Sequence, residues 1–194
     1  LVTDGYCRTR WWSPKSMEAM IYQSPKKHAD KIRAMFSDII SSESVHPDTG
    51  VICFRIKTAA LRTIRQYFKK KEDLPAIVTR LDKESLESMY EAMMDAEGSR
   101  HATKGEAFGQ KSGGPVLDAF QIICYLLGKA FNIGHYQNGQ HAGYVKKRDK
   151  ISLFKWTLGK ESYSGIVWCP RTKNSTWIMR QDGKVIITGN SWLE

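Results

Sequence analysis

One order of elements recurs in the two halves of this 194-residue chain. An acid followed by glycine, Asp4-Gly5 and then Glu97-Gly98, stands before a β-rich stretch, and each stretch leads into a helix opened by a proline, Pro25 or Pro115. In the first half, residues 6–12 and 17–23 are aromatic or β-branched in part and are split by Ser13-Pro14-Lys15, as in a hairpin. Residues 25–40 place Ala29, Ile32, Met35, Phe36, Ile39 and Ile40 at three- and four-residue spacings, which predicts an amphipathic helix with a basic outer face. Residues 51–57 read as a strand and 61–68 as a short helix. In the second half, residues 82–97 read as a helix with Asp82 as N-cap and Glu84 in the first turn, where a negative charge suits the helix dipole. Ser85 stands where a Glu or Gln would complete a capping box. Residues 114–131 read as a further helix, and residues 135–156 alternate enough to supply strands. Two related halves of this kind predict an α+β domain with a pseudo-twofold axis.

From Tyr163 the texture changes to the short β runs GIVWC, STWIMR and KVIITG. The last two are separated by Asp182-Gly183, a strong tight-turn signal. No helix accompanies them, so they are expected to be a piece of a second, all-β domain.

Composition narrows the class. A hydrophobic content of 41% suffices for a folded core, and no apolar run approaches the roughly 18 to 20 residues of a membrane span. A soluble, cytoplasmic protein without a membrane partner is expected. The four cysteines, Cys7, Cys53, Cys124 and Cys169, are far apart and form no CxxC pair, which argues against a zinc cluster or a disulfide framework. The net charge of +10 is compatible with nucleic acid as a partner but does not by itself require one.

The nine residues Tyr90 to Gly98, YEAMMDAEG, resemble the LAGLIDADG motif of homing endonucleases, with Asp95, Ala96 and Gly98 kept and Glu97 in place of the final Asp. Leu1-Val2-Thr3-Asp4-Gly5 resembles the end of a first copy. The resemblance implies a pseudo-twofold LAGLIDADG endonuclease fold, αββαββα repeated, over residues 1–158, with the first motif helix truncated and the domain monomeric. It also implies that Asp4 and Glu97 hold Mg2+ and cut double-stranded DNA at the insertion site. Carboxylates sharing divalent ions supply the charge stabilisation that phosphodiester hydrolysis needs at neutral pH. By position Lys70, within Lys69-Lys70-Lys71, is similar to the family's phosphate-steadying lysine; a solvated charge run is the other reading. The family's sheets lie in the major groove, which makes Arg8, Arg10, Lys15, Gln23, Arg55 and Lys57 in the first half candidate DNA contacts. Gln110, Lys111, Lys146, Lys147 and Arg148 are their counterparts in the second. A cleavage-inactive DNA- or RNA-binding, maturase-like module is the alternative.

The stretch from Tyr163 to Ser191 resembles the end of an intein, so residues 159–190 are expected to be the C-terminal part of a Hint splicing domain. Residues 191–194 are then host-protein (extein) residues with a possible cloning scar at the end. In that chemistry the Asn190 side-chain amide attacks its own carbonyl to form a succinimide, and the Ser191 hydroxyl accepts the migrating acyl group. Gly189 departs from the usual His before the final Asn. Cys169 and Thr188 resemble the intein class with an internal cysteine nucleophile, and a buried strand cysteine is the other reading of Cys169. Such chemistry requires a complementary N-terminal intein fragment as partner.

Overall fold

The computed structural model describes residues 5–10, 13–26, 28–103, 105–111, 113–146, 159–167 and 170–189. The first half contains strands β1 (Gly5–Arg10) and β2 (Ser13–Gln23), helix α1 (Ala29–Phe36), strands β3 (Ile40–Val45) and β4 (Ile52–Ile56), and helices α2 (Thr58–Tyr67) and α3 (Leu74–Val78). The second contains helix α4 (Lys83–Glu97), strands β5 (Ser99–His101) and β6 (Gly105–Gln110), helix α5 (Pro115–Leu126), and strands β7 (Ala130–Phe131), β8 (Gly134–His135) and β9 (His141–Lys146). Strands β10 (Thr176–Gln181) and β11 (Lys184–Gly189) close the described chain.

The recurrence seen in sequence is a recurrence of topology. The first sheet has the antiparallel order β1-β2-β4-β3, and the second has β5-β6-β9-β7 with the short β8 paired beside β9. In both, a hairpin is followed by a helix and a second hairpin that inserts its last strand next to the second one. Period-two burial sets the faces. In β2 and β4, Ala19, Ile52, Phe54 and Ile56 are buried against helices, and in β6 Phe108 is. The alternate residues face the open side of each sheet.

The two cores differ in size. Phe120 of α5 stacks on Phe108 at 4.1 Å between centroids and on Tyr90 of α4 at 5.3 Å, and meets Phe131 edge-on at 5.1 Å. Leu86, Met93 and Met94 of α4 join this cluster. The first half packs two smaller groups, around Leu61 and around Phe54. Between the halves, α4 and the first half's α1, β2 and β4 border an apolar groove of about 650 Å³.

Local chemistry accounts for the helix ends, including those that differ from the sequence reading. Asp82 caps α4 as expected, accepting from the Ser85 backbone N–H at 2.8 Å. At the other end, a Cβ on Gly98 would stand 2.6 Å from Met94 Cε and 2.7 Å from the Met94 carbonyl oxygen, so only glycine fits behind Glu97. The helix expected over 25–40 is limited to Ala29–Phe36, because Ile40 leaves the helical path to pair with Ile56. The helix expected to reach residue 131 stops at Leu126. Gly128, at φ 72°, follows it, and the N–H groups of Gly128 and Lys129 return to the Tyr125 and Cys124 carbonyls at 3.1 and 2.7 Å, a Schellman closure that frees Ala130–Phe131 to form β7.

The expected Asp182-Gly183 hairpin is present, with both residues at positive φ, 50° and 72°, as a primed two-residue turn requires. Residues 165–167 of the GIVWC run form no strand. The hairpin packs on the second half. Buried Gln121 donates to the Phe131 and Gly183 carbonyls at 2.9 and 2.8 Å, and Arg180 pairs with Asp118 at 2.5 Å. Among the described residues no helix is long and apolar enough to cross a membrane.

Candidate acidic centre and nucleic-acid interface

Helix α4 ends in two acids with different surroundings. Asp95 is 14% exposed and lies between the halves, accepting from Lys31 Nζ of α1 at 2.5 Å and from Arg100 Nη1 of β5 at 2.9 Å. Partial burial acts to raise its pKa, and these two cationic donors outweigh that effect, holding the carboxyl below its ordinary range. Arg100 spreads its guanidinium over three acids, adding Glu91 at 2.6 Å and Glu106 at 3.2 Å. Glu106 also accepts from the Tyr90 hydroxyl at 2.6 Å. There again burial raises the carboxyl and the Tyr90 and Arg100 hydrogen bonds override it. This network fixes the end of α4 to its own sheet and to the neighbouring half.

Glu97, by contrast, is exposed. The side-chain amide of Gln110, the last residue of β6, donates to its carboxylate. Beside it opens a cleft of about 320 Å³ over the second sheet, with Ala107, Gly109 and Ala142 on its floor and Tyr136, Gln140 and Tyr144 around it. Oxygen donors of the Glu97 and Gln110 type suit a hard divalent cation. Among the described residues no group of three or more metal-ligating side chains is preassembled.

On the open face of the first sheet, Arg55 pairs with Glu18 at 3.6 Å. Met20 Sδ receives the Tyr22 hydroxyl at 3.5 Å and the Cys53 thiol at 3.3 Å.

The sequence-expected residues divide accordingly. Glu97 and Gln110 come together, but Gln110 serves the acid rather than the open face of the sheet. Gln23, the matching last residue of β2, lies on the packed side and lines the groove beside α4, because it follows Ala19 and Ile21 in the strand's alternation. Lys57 is turned to the α1–β3 connection, where its Nζ donates to the Asp38 carbonyl at 2.6 Å. Lys70 is in the short turn before α3, its backbone N–H donating to Asp73 at 3.1 Å, and is not among the residues lining the cleft beside Glu97. Arg55 and Lys146 are exposed on the open faces, and Lys111 is exposed just beyond β6. Arg8 and Arg10 lie in β1 and Lys15 in the first part of β2, and at these three positions only the backbone is described. Thr188 is in β11 opposite Trp177. Asp4, Lys147, Arg148, Cys169, Asn190 and Ser191 lie outside the described residues.

Sequence reasoning missed Lys31, Arg100 and Glu106. Each reads as an ordinary surface charge, and their convergence on α4 depends on pairings that no local pattern encodes. The closeness of Arg100 to the acidic helix end was the one available signal.

No known protein family and no curated protein matches the chain. Its fold does match solved structures. A structure of mesophilic variants of the homing endonuclease I-DmoI is 14% identical, with a TM-score of 0.53 over 76% of this chain and 84% of that one. I-DmoI in complex with DNA and Mn is 13% identical, with a TM-score of 0.51 over 75% and 82%. I-DmoI with DNA and Ca is 13% identical, with a TM-score of 0.53 over 75% and 76%. The fold of this chain is therefore similar to that of a LAGLIDADG homing endonuclease.

Proposed function

We propose that this chain is the DNA-cutting part of an intein-borne LAGLIDADG homing endonuclease, acting on the duplex that spans its own insertion site. The observation that carries this reading is the repeated sheet order, each copy following an acid-glycine pair, with Glu97 held by Gln110 at the end of α4. Two antiparallel sheets in this order give two open faces for the two arms of a duplex, and two acids can serve its two strands. The I-DmoI complexes with DNA and with Mn or Ca support the partner and the use of divalent ions.

Asp4 and Glu97 would hold Mg2+ in this reading. Bound there, such an ion supplies charge stabilisation to the attacking and leaving oxygens. The chain's own residues do the positioning: Gln110 orients the Glu97 carboxylate, and the Lys31–Asp95–Arg100 network fixes the helix end that carries it.

The β10–β11 hairpin is read as the end of a Hint splicing domain that becomes active with a complementary N-terminal intein fragment. Asn190 would then cyclise and release the following bond, Ser191 would take up the acyl group, and Cys169 and Thr188 would assist. Mixing the chain with such a fragment and following ligated product by mass spectrometry tests this part, and Asn190→Ala should stall it before the final cleavage.

The endonuclease reading is tested with a duplex carrying the joined insertion-site sequence and Mg2+. Cleavage is expected, with binding that weakens by about a thousandfold between roughly 50 and 200 mM salt if about six phosphates are contacted. A chain that binds no duplex at low salt would overturn it.

A further inference from the structure

The two open faces are not chemically alike, although the strands that build them are topological equivalents. Strand β2 is the second strand of the first sheet and β6 the second strand of the second. With Ala19 and Phe108 marking the packed sides, β2 carries Glu18, Met20 and Tyr22 on its open side, whereas β6 carries Gly105, Ala107 and Gly109. The neighbouring central strands continue the contrast. On β4 the open residues are Cys53 and Arg55, and on β9 they are Ala142, which pairs with Gly109, then Tyr144 and Lys146.

The side chains on the first face are also held in place. Glu18 is buried and stands 3.6 Å from the Arg55 guanidinium, which remains half exposed. Met20 is fixed by contacts from Tyr22 and Cys53. An oriented arginine is the usual reader of a guanine edge in the major groove, and an apolar group such as a thioether packs on the thymine methyl. On the second face the small residues leave the cleft beside Glu97, whose floor of Ala107, Gly109 and Ala142 offers a duplex backbone and methyl groups, while the polar side chains of Ser99, Tyr136, Gln140 and Tyr144 stand around it. A floor of that kind extends no long side chain to a base edge, and backbone N–H groups that contact phosphate position DNA without specifying its sequence.

We propose that the two sheets divide the work of recognition: the first discriminates bases through Arg55 and Met20, and the second holds its arm of the duplex closely with little base discrimination. This rests on the DNA-binding reading given above and goes beyond it by assigning specificity to one half.

The test is selection by the full chain from a pool of duplexes randomised over a length that spans both sheets, followed by sequencing of the bound fraction. The expected result is one strongly biased arm and one nearly uniform arm, with wrong bases in the biased arm costing about tenfold or more each. Arg55→Ala should flatten a guanine preference in the biased arm, and Met20→Ala a thymine preference. Ala107→Gln should introduce a preference in the uniform arm. Two equally biased arms, or a biased arm unchanged by both Arg55→Ala and Met20→Ala, would overturn the division of labour while leaving DNA binding intact. Failure to enrich any duplex would overturn the DNA-binding reading itself and this inference with it.

Discussion

Gln110 donates its side-chain amide to the carboxylate of Glu97, joining the last residue of β6 to the last residue of α4. Residues that orient a metal-ligating carboxylate commonly cost tenfold to a hundredfold in metal affinity or activity when removed. Gln110→Ala should therefore raise the Mg2+ concentration needed for half-maximal duplex cleavage by about 10- to 100-fold while still cutting at saturating metal. Glu97→Gln should abolish cleavage and leave duplex binding largely unchanged. Undiminished cleavage by Glu97→Gln would remove that residue from the centre.

The Asp95 carboxyl joins Lys31 of one half to Arg100 of the other. Its folded pKa lies below the unfolded value of about 3.9, so its contribution to stability is fully present above that value and is lost as pH falls through the folded one. Asp95→Asn should lower stability near neutral pH by about 1 to 3 kcal/mol, because two cationic donors lose their charged acceptor. Urea unfolding at a series of pH values should show the gap between wild type and variant closing below about pH 4. A gap that stays constant to pH 2 would contradict the assignment.

The parts of the fold that were legible in sequence are those fixed by local chemistry. The Asp82 cap and the Asp182-Gly183 turn each act over a few residues, and each appears where expected. Strand β3 was not legible, because Ile40–Val45 is mostly exposed and polar and owes its conformation to pairing with β4. Gly128 could have been read as a helix stop, but the apolar run continues past it to Phe131 and outweighed it. At the candidate site, the place of Glu97 at the end of a helix was legible from its motif. The facing of Gln23 and Gln110 was not, because one residue of strand register decides which side each meets.

Gln121 is 2% exposed and satisfies two carbonyls, Phe131 of β7 and Gly183 of the terminal turn. Gln121→Leu keeps the volume but removes both donors, leaving the Phe131 and Gly183 oxygens with fewer partners in an apolar setting. A loss of about 1 to 3 kcal/mol is expected. The loss should be local as well as global. The Ile133 N–H also donates to Gly183, at 2.9 Å, so its amide exchange should accelerate in the variant more than that of Tyr90 in α4. Equal acceleration at both sites would show that the glutamine stabilises the second half without pinning the hairpin.

Cys124 and Cys53 provide an internal comparison of burial. Cys124 sits inside α5, fully buried, and burial pushes its thiol up to about 12. Since the thiolate is the reactive form, iodoacetamide at pH 8 should leave Cys124 unmodified in the native chain and label it only under denaturant. Cys53 is partly exposed on the open face of the first sheet, with its thiol against Met20. It should be labelled in the native chain, and a bound duplex should protect it if the first sheet is the discriminating face. Peptide mapping by mass spectrometry reads both sites in one experiment. Native labelling of Cys124 would contradict the packing of α5, and labelling of Cys53 that a saturating, tightly bound duplex fails to slow would place the DNA elsewhere.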